Sequence, residues 1–241
     1  MEKKRYAAIV LSAGRGSRMK SEIPKQYLTL DGRPVIYYAL SAFEQSCVQD
    51  IILVSGEEDV EFCQNEIVKK YGFDKVKAVI AGGKERYHSV FCGLKELEQR
   101  KKQPDYVMIH DGARPFVNQE IIMRCAEMAE QYQACVAGMP VKDTIKIADL
   151  NQFAAKTPER ELVWQVQTPQ VFSFPLIFQA YRRLMEMEEE GGNISVTDDA
   201  MVLETILGKE VRLVEGSYKN IKITTPEDFQ MAEIFLKDHA E

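Results

Sequence analysis

The stretch LSAGRGSRMKSEIPKQY, residues 11–27, follows without a break on a short apolar run, YAAIVL at residues 6–11. A continuous apolar run of that length, bounded by turn residues, reads as a buried strand. Directly after it come Ser12, Ala13, Gly14, Gly16 and Ser17, and two cations close the stretch, Arg18 and Lys25. A glycine-rich turn leaving a buried strand offers backbone N–H groups to an anion, and Arg18 and Lys25 add full positive charge. That combination suits a polyphosphate. Two common phosphate motifs do not fit. The dinucleotide fingerprint G-x-G-x-x-G would need a glycine where Met19 stands, and a Walker A loop is denied by Glu85 after Gly83-Lys84 and by Ala78 at its first glycine.

Outward from this stretch, strand-like and helix-like segments alternate. Residues 34–44 carry helical apolar spacing behind a proline, and 57–71, 85–98 and 119–132 also read as helices. Residues 51–55, 76–81, 106–110 and 134–141 read as strands. This alternation predicts βαβ units, hence an α/β fold, a Rossmann-like three-layer sandwich on a mostly parallel sheet, with ligands at the carboxyl ends of the strands. The loop after residue 11, Gly82-Gly83 and Asp111 all fall at such ends. From 141 to 167 the rhythm breaks into short alternating runs around Asp149-Leu150-Asn151, which predicts a β-arm standing off a single domain spanning 1–241. So thin an arm has little core of its own and needs a partner surface. Beyond it, 175–189 reads as a helix, Thr197-Asp198-Asp199 as a cap into a short helix through 203, and 211–214 and 221–223 as strands. Thr225-Pro226 starts the last helix. The glutamates at 186 and 188–190 read as a solvated face.

A net charge of −6 argues against a nucleic-acid footprint, which would need a basic face, but leaves room for a local anion pocket. The five cysteines include no C-x-x-C pair, so neither a zinc ribbon nor a thioredoxin-like motif is supported, and they read as packed, reduced thiols. No segment approaches a membrane span and the N-terminal apolar run is too short for a signal peptide, so the expectation is a soluble, cytoplasmic protein.

Read in order, the motifs resemble one family. The pattern L-S-A-G-x-G-S-R-M-(x)5-K-Q-Y, then AGGKER at 81–86 with Ser89, HDGARP at 110–115, PVKDT at 140–144 with Arg160, QTPQ at 167–170 and NIKIT at 220–224 are similar to the sugar-phosphate cytidylyltransferases. Within them the likeness is greatest to those acting on 2-C-methyl-D-erythritol 4-phosphate. The resemblance implies transfer of CMP from CTP to that acceptor with release of pyrophosphate, a step of non-mevalonate isoprenoid synthesis. It implies that Arg18, Lys25 and Lys222 are catalytic. Ser12, Ala13, Gly14, Gly16, Gly83, Ser89 and Asp111 would bind the nucleotide, and Asp111 would hold Mg²⁺. Thr144, Arg160 and Thr168 would bind the polyol phosphate, the first two across a homodimer formed through the arm. Lys84 stands where relatives often carry an acid, Arg114 is expected to brace its turn and His110 to be packed. The neighbouring readings are a ribitol-5-phosphate cytidylyltransferase and, outside enzymes, a protein that senses CTP without turnover.

Overall fold

The computed structural model describes residues 4–14, 23–192 and 195–237. In chain order they form β1 (Tyr6–Ser12), a 3₁₀ turn (Lys25–Tyr27), the small hairpin β2 (Thr29–Leu30) and β3 (Arg33–Pro34), α1 (Val35–Glu44), β4 (Asp50–Ser55), α2 (Val60–Phe62), β5 (Val76–Ala81), α3 (Arg86–Glu98), β6 (Tyr106–Asp111), α4 (Gln119–Tyr132) and β7 (Ala134–Pro140). The arm follows with β8 (Ile147–Ala148) and β9 (Ala154–Lys156), then β10 (Trp164–Ser173), α5 (Phe174–Glu189), α6 (Asp199–Leu207), β11 (Arg212–Glu215) and α7 (Pro226–Lys237).

Seven strands make the central sheet in the order β11-β7-β10-β6-β1-β4-β5. All run parallel except β10, which pairs antiparallel with both β6 and β7. Successive side chains of a strand face opposite sides, and the apolar runs obey this on both faces. Ala8, Val10, Ile51, Leu53 and Met108 pack with Ile36, Leu40 and Phe43 of α1 and with Ile121, Ile122 and Cys125 of α4. Ala7, Ile9, Ile52, Val54, Val107 and Ile109 pack on the other face against Val90 and Leu94 of α3, Ile177 and Tyr181 of α5, and Leu203 of α6. Two covered faces explain why these strands are apolar throughout rather than alternating. The expected three-layer α/β sandwich is what the chain forms.

Helix ends follow local chemistry. Asn118 caps α4 by accepting from Ile121 N at 3.0 Å, and Glu85 with His88 forms a reciprocal capping box on α3. At α7, Asp228 Oδ2 accepts from both Thr224 N and Thr225 N at 2.9 Å, beside the expected cap Thr225.

Several expectations need correction. The helix read at 57–71 is a 3₁₀ turn, then α2, then a π-helical run from Cys63 to Lys69. The expected arm is shorter, because 164–167 already belong to β10, with Trp164, Gln165 and Val166 paired to β7. Thr168, Pro169 and Gln170 of the QTPQ motif lie within β10. Residues 221–223 form no strand; Ile223 N instead donates to Ala113 O at 2.9 Å, tying the segment to the turn after β6. Asp198, within the expected cap, is the residue that caps α6, but the helix runs past 203 to Leu207. Among the glutamates at 186–190, Glu188 accepts from Tyr87 and pairs with His88, both at 2.8 Å, so that face is not merely solvated.

Candidate active site

The chain leaves β1, builds β4 and β5 on one side, and returns to place β6 on the other side of β1. In such sheets ligands bind outside the carboxyl ends of the strands at the point of reversal. The cleft found there is lined by Ser12, Ala13 and Gly14 after β1, Lys25 and Gln26, residues 83–86 and Ser89 after β5, Asp111 and Ala113 after β6, and Lys222. The expected nucleotide-binding Ser12, Ala13, Gly14, Gly83, Ser89 and Asp111 are therefore together, with the expected catalytic Lys25 and Lys222 among them. Arg18 and Gly16 lie outside the described residues.

Each wall has its own bracing. Gln26, buried in the 3₁₀ turn, donates from Nε2 to Ser12 O at 2.5 Å and to Gly14 O at 3.1 Å. One amide thus moors the outgoing end of the glycine-rich loop beside Lys25, where the chain returns. The Ser12 hydroxyl donates to Val54 O at 3.2 Å and is buried, so the backbone of this residue, not its side chain, is what the cleft meets. Across the cleft, Gly83 N donates to Ser89 Oγ at 3.1 Å. A Cβ on Gly83 would stand 2.4 Å from His88 Cβ, and one on Gly82 2.5 Å from Ser89 Oγ and 2.9 Å from Ala13 Cβ. Only glycine lets the two loops approach so closely.

Asp111 is the hub. Its Oδ1 accepts from Arg86 Nε at 3.2 Å, its Oδ2 lies 2.8 Å from Lys222 Nζ, and Arg114 Nε stands 3.9 Å from Oδ2. Burial would raise the pKa of this carboxyl, but Arg86, Lys222 and Arg114 together overcome burial and hold it well below the usual carboxylate range. Its backbone N donates to Thr168 Oγ1 at 3.1 Å. That hydroxyl then turns its own proton to His110 Nδ1 at 2.9 Å, which leaves His110 Nε2–H to donate to Arg114 O at 3.1 Å. Burial pushes the His110 imidazole down to about 4, so it is neutral and structural, as expected. Thr168 is buried and also borders a second recess, with Gln167, Asp198 and Lys222, that opens from the cleft at Asp111.

Lys222 reaches Asp111 because its segment is pinned. The fully buried Asn220 donates from Nδ2 to Thr168 O at 2.9 Å and its carbonyl accepts from Arg114 Nη1 at 2.8 Å. Arg114 therefore braces the turn, as its position suggests.

Thr144 and Arg160 stand apart. Both are exposed on the arm and neither lines the cleft of its own chain; Arg160 Nη1 donates to Lys142 O at 3.5 Å. The arm around them exposes Leu150 fully, and Phe153 and Leu162 by 72% and 75%.

For a divalent cation, the cleft offers one deep carboxylate, Asp111, both oxygens of which already meet cations. Among the described residues no group of three His, Cys, Asp or Glu side chains is placed to hold a metal. This donor set fits an ion that arrives on a triphosphate and is held chiefly by phosphate and water, with Asp111 the deep carboxylate available to it among the described residues.

Gln26 and Asp199 were not singled out from the sequence. Gln26 sits inside the K-Q-Y signature itself, and Asp199 is the second of two adjacent acids at a helix start where one cap suffices.

The comparisons with known proteins agree with this geometry. The family model described as 2-C-methyl-D-erythritol 4-phosphate cytidylyltransferase matches residues 6–238. A relative of that description from Lachnospira eligens is 53% identical over 231 residues, covering 95% of this chain and 98% of the relative. One from Lachnoclostridium phytofermentans is 44% identical, covering 100% and 99%. Among solved structures, the 4-diphosphocytidyl-2C-methyl-D-erythritol synthase of Anaerococcus prevotii superposes with a TM-score of 0.81 at 32% identity, covering 97% of this chain and 99% of that one. Matched end to end by the family model and by relatives of its own length, the chain belongs to the 2-C-methyl-D-erythritol 4-phosphate cytidylyltransferase family.

Proposed function

We propose that the protein transfers CMP from CTP to 2-C-methyl-D-erythritol 4-phosphate, releasing pyrophosphate and forming 4-diphosphocytidyl-2-C-methyl-D-erythritol for isoprenoid synthesis. The observation that carries this, beside family membership, is the cleft that Lys25 shares with Gly83, Ser89 and the deep carboxylate Asp111, itself paired with Lys222 and Arg86. A phosphate oxygen of the acceptor attacks the α-phosphorus of CTP. The bond to the β-phosphate breaks in line, and its electron pair leaves on pyrophosphate. Both reacting partners are oxyanions, so the protein's task is to position them and offset charge on the crowded phosphorus. Lys25 and Arg18, both of the stretch 11–27, serve the triphosphate. Lys222, held 2.8 Å from Asp111, serves the incoming phosphate. The backbone around Ala13 and Gly83, with Ser89, reads the base. Asp111 would hold a magnesium ion brought by the triphosphate, which would supply further charge neutralisation when bound.

The enzyme works as a homodimer in this reading, each arm carrying Thr144 and Arg160 to the acceptor site of the other subunit. The exposed Leu150, Phe153 and Leu162, and the distance of both polar residues from their own cleft, support it. We place the enzyme in the cytoplasm. All five cysteines are free thiols, and no described helix is long and apolar enough to cross a membrane. The test is pyrophosphate release from CTP and Mg²⁺ with 2-C-methyl-D-erythritol 4-phosphate and ribitol 5-phosphate offered in parallel. Release with the first supports the reading. Release with the second alone moves the protein to polyol-phosphate activation, and CTP binding with silence in both arms makes it a sensor.

A further inference from the structure

We propose that Asp199, a carboxylate that never meets the cleft, is a positioning residue for this transfer: by gripping Arg86 from behind, it keeps one oxygen of Asp111 open for Lys222. The inference rests on the function proposed above for its kinetic consequence, and on geometry alone for its structural one.

Asp199 is fully buried at the start of α6. Its two oxygens accept a two-pronged pair from Arg86, Nη1 to Oδ1 and Nη2 to Oδ2, both at 2.8 Å. The buried Tyr181 hydroxyl adds a third bond to Oδ1 at 2.5 Å. The start of α6 is itself bolted to the sheet, because Gln170 accepts from Ala200 N and donates to Asp198 Oδ2, each at 2.9 Å. The carboxylate is therefore a fixed anchor rather than a mobile counter-ion.

The anchor matters through what it leaves to Arg86. A guanidinium facing a lone carboxylate favours the two-pronged arrangement, which occupies both oxygens. Held through both terminal nitrogens by Asp199, the Arg86 guanidinium meets Asp111 through Nε–H alone, to Oδ1 at 3.2 Å. Oδ2 remains for the Lys222 ammonium at 2.8 Å. Arg86 is also the first residue of α3, the helix that carries Ser89. One side chain thus joins the wall proposed for the base to the hub proposed for the phosphates. Two carboxylates against Arg86, Arg114 and Lys222 leave the cluster one net positive charge, suited to an incoming anion.

Released from Asp199, Arg86 turns both prongs to Asp111 and displaces Lys222. The test uses Asp199→Asn, which keeps the shape and removes the charge, and the double variant Arg86→Gln/Asp199→Asn, which leaves a neutral amide pair in place of the ions. In the crystal structure of Asp199→Asn, Lys222 Nζ moves out of hydrogen-bond range of Asp111. The kcat of the single variant falls by about tenfold or more, with CTP dissociation changed less than about threefold. In the double variant no guanidinium remains to take both oxygens of Asp111, so Lys222 Nζ stays in hydrogen-bond range of Asp111. Its kcat rises above that of Asp199→Asn even where the melting temperature does not; a merely structural tie would make kcat follow stability. Lys222 unmoved in the Asp199→Asn crystal, an unchanged kcat in that variant, or Lys222 still displaced in the double variant would each overturn the proposal. If the wild type itself releases no pyrophosphate from either acceptor, the proposed function falls, and the position of Lys222 in the Asp199→Asn crystal still decides this inference.

Discussion

Acid should destabilise this protein through His110 before it protonates Asp111. The imidazole is fully buried, accepts at Nδ1 from Thr168 and donates at Nε2 to Arg114 O, so protonation would put a second donor against a hydroxyl and a charge in the core. Its pKa falls from 6.5 in the open chain to about 4 in the folded one. The unfolded state therefore binds more protons between these values, and stability rises with pH across that window. The contribution is complete above about 6.5, is lost as pH falls from there toward 4, and changes no further below it. At pH 5 the loss is the ratio of the two protonation terms, about 30-fold unfolded against about 1.1-fold folded, or about 2 kcal/mol, rising to about 3 kcal/mol below pH 4. For a chain of this size that is a drop in Tm of about 4–8 °C between pH 7 and 5. His110→Gln offers one donor and one acceptor without titrating. Urea unfolding of both proteins at pH 7 and 5, at fixed ionic strength, should show the wild type losing about 2 kcal/mol more than the variant. Equal losses in the two would refute the assignment. Asp111, whose folded pKa lies below its unfolded value, contributes stability present above about 3.8 and lost only as pH falls below that, so its titration does not enter this window.

Other expectations follow from the cleft and the arm. Lys25→Ala should lower kcat by about 10²–10³-fold while CTP affinity, measured by calorimetry, drops less than about tenfold; an unchanged kcat removes Lys25 from the mechanism. Gly83→Ala puts a methyl 2.4 Å from His88 Cβ and 3.3 Å from its backbone carbon, so the wall must shift. CTP binding should weaken by about tenfold or more, and an unaltered dissociation constant would mean that this loop does not meet the base. Replacing both Leu150 and Phe153 by Ser removes two of the large exposed apolar side chains of the arm. Sedimentation should show a dimeric wild type and a largely monomeric, poorly active variant. A dimer that persists would locate the interface elsewhere.

Much of this was legible in the sequence because apolar runs bounded by glycine, proline and asparagine specify buried strands and capped helices locally. β1, β4, β5 and β6 were readable for that reason, whereas Gly83, Ser89 and Lys222 were singled out as site residues only through the resemblance of their motifs to the family. β10 was not. Its residues, WQVQTPQVFS, are half polar because Gln167, Thr168 and Gln170 turn inward to bind Asn220, Asp111 N and Ala200 N rather than to pack. The π-helical run at Cys63–Lys69 lacked a clean period, and the apolar residues at 221–223 looked like a strand because they pack against α7 without joining the sheet. Asp199 escaped notice because its partner, Arg86, lies far away in sequence, and no local pattern announces a long-range ion pair.

The central claim is that charge and position alone carry the reaction, with the acceptor's own phosphate oxygen as the nucleophile and no side chain forming a bond to phosphorus. The stereochemical course at the α-phosphorus tests it directly. Given a single diastereomer of CTP carrying sulfur on the α-phosphorus, together with 2-C-methyl-D-erythritol 4-phosphate, one in-line displacement must invert that centre, and ³¹P NMR of the product should report inversion. Retention would mean two displacements through a covalent enzyme intermediate, and would contradict the account.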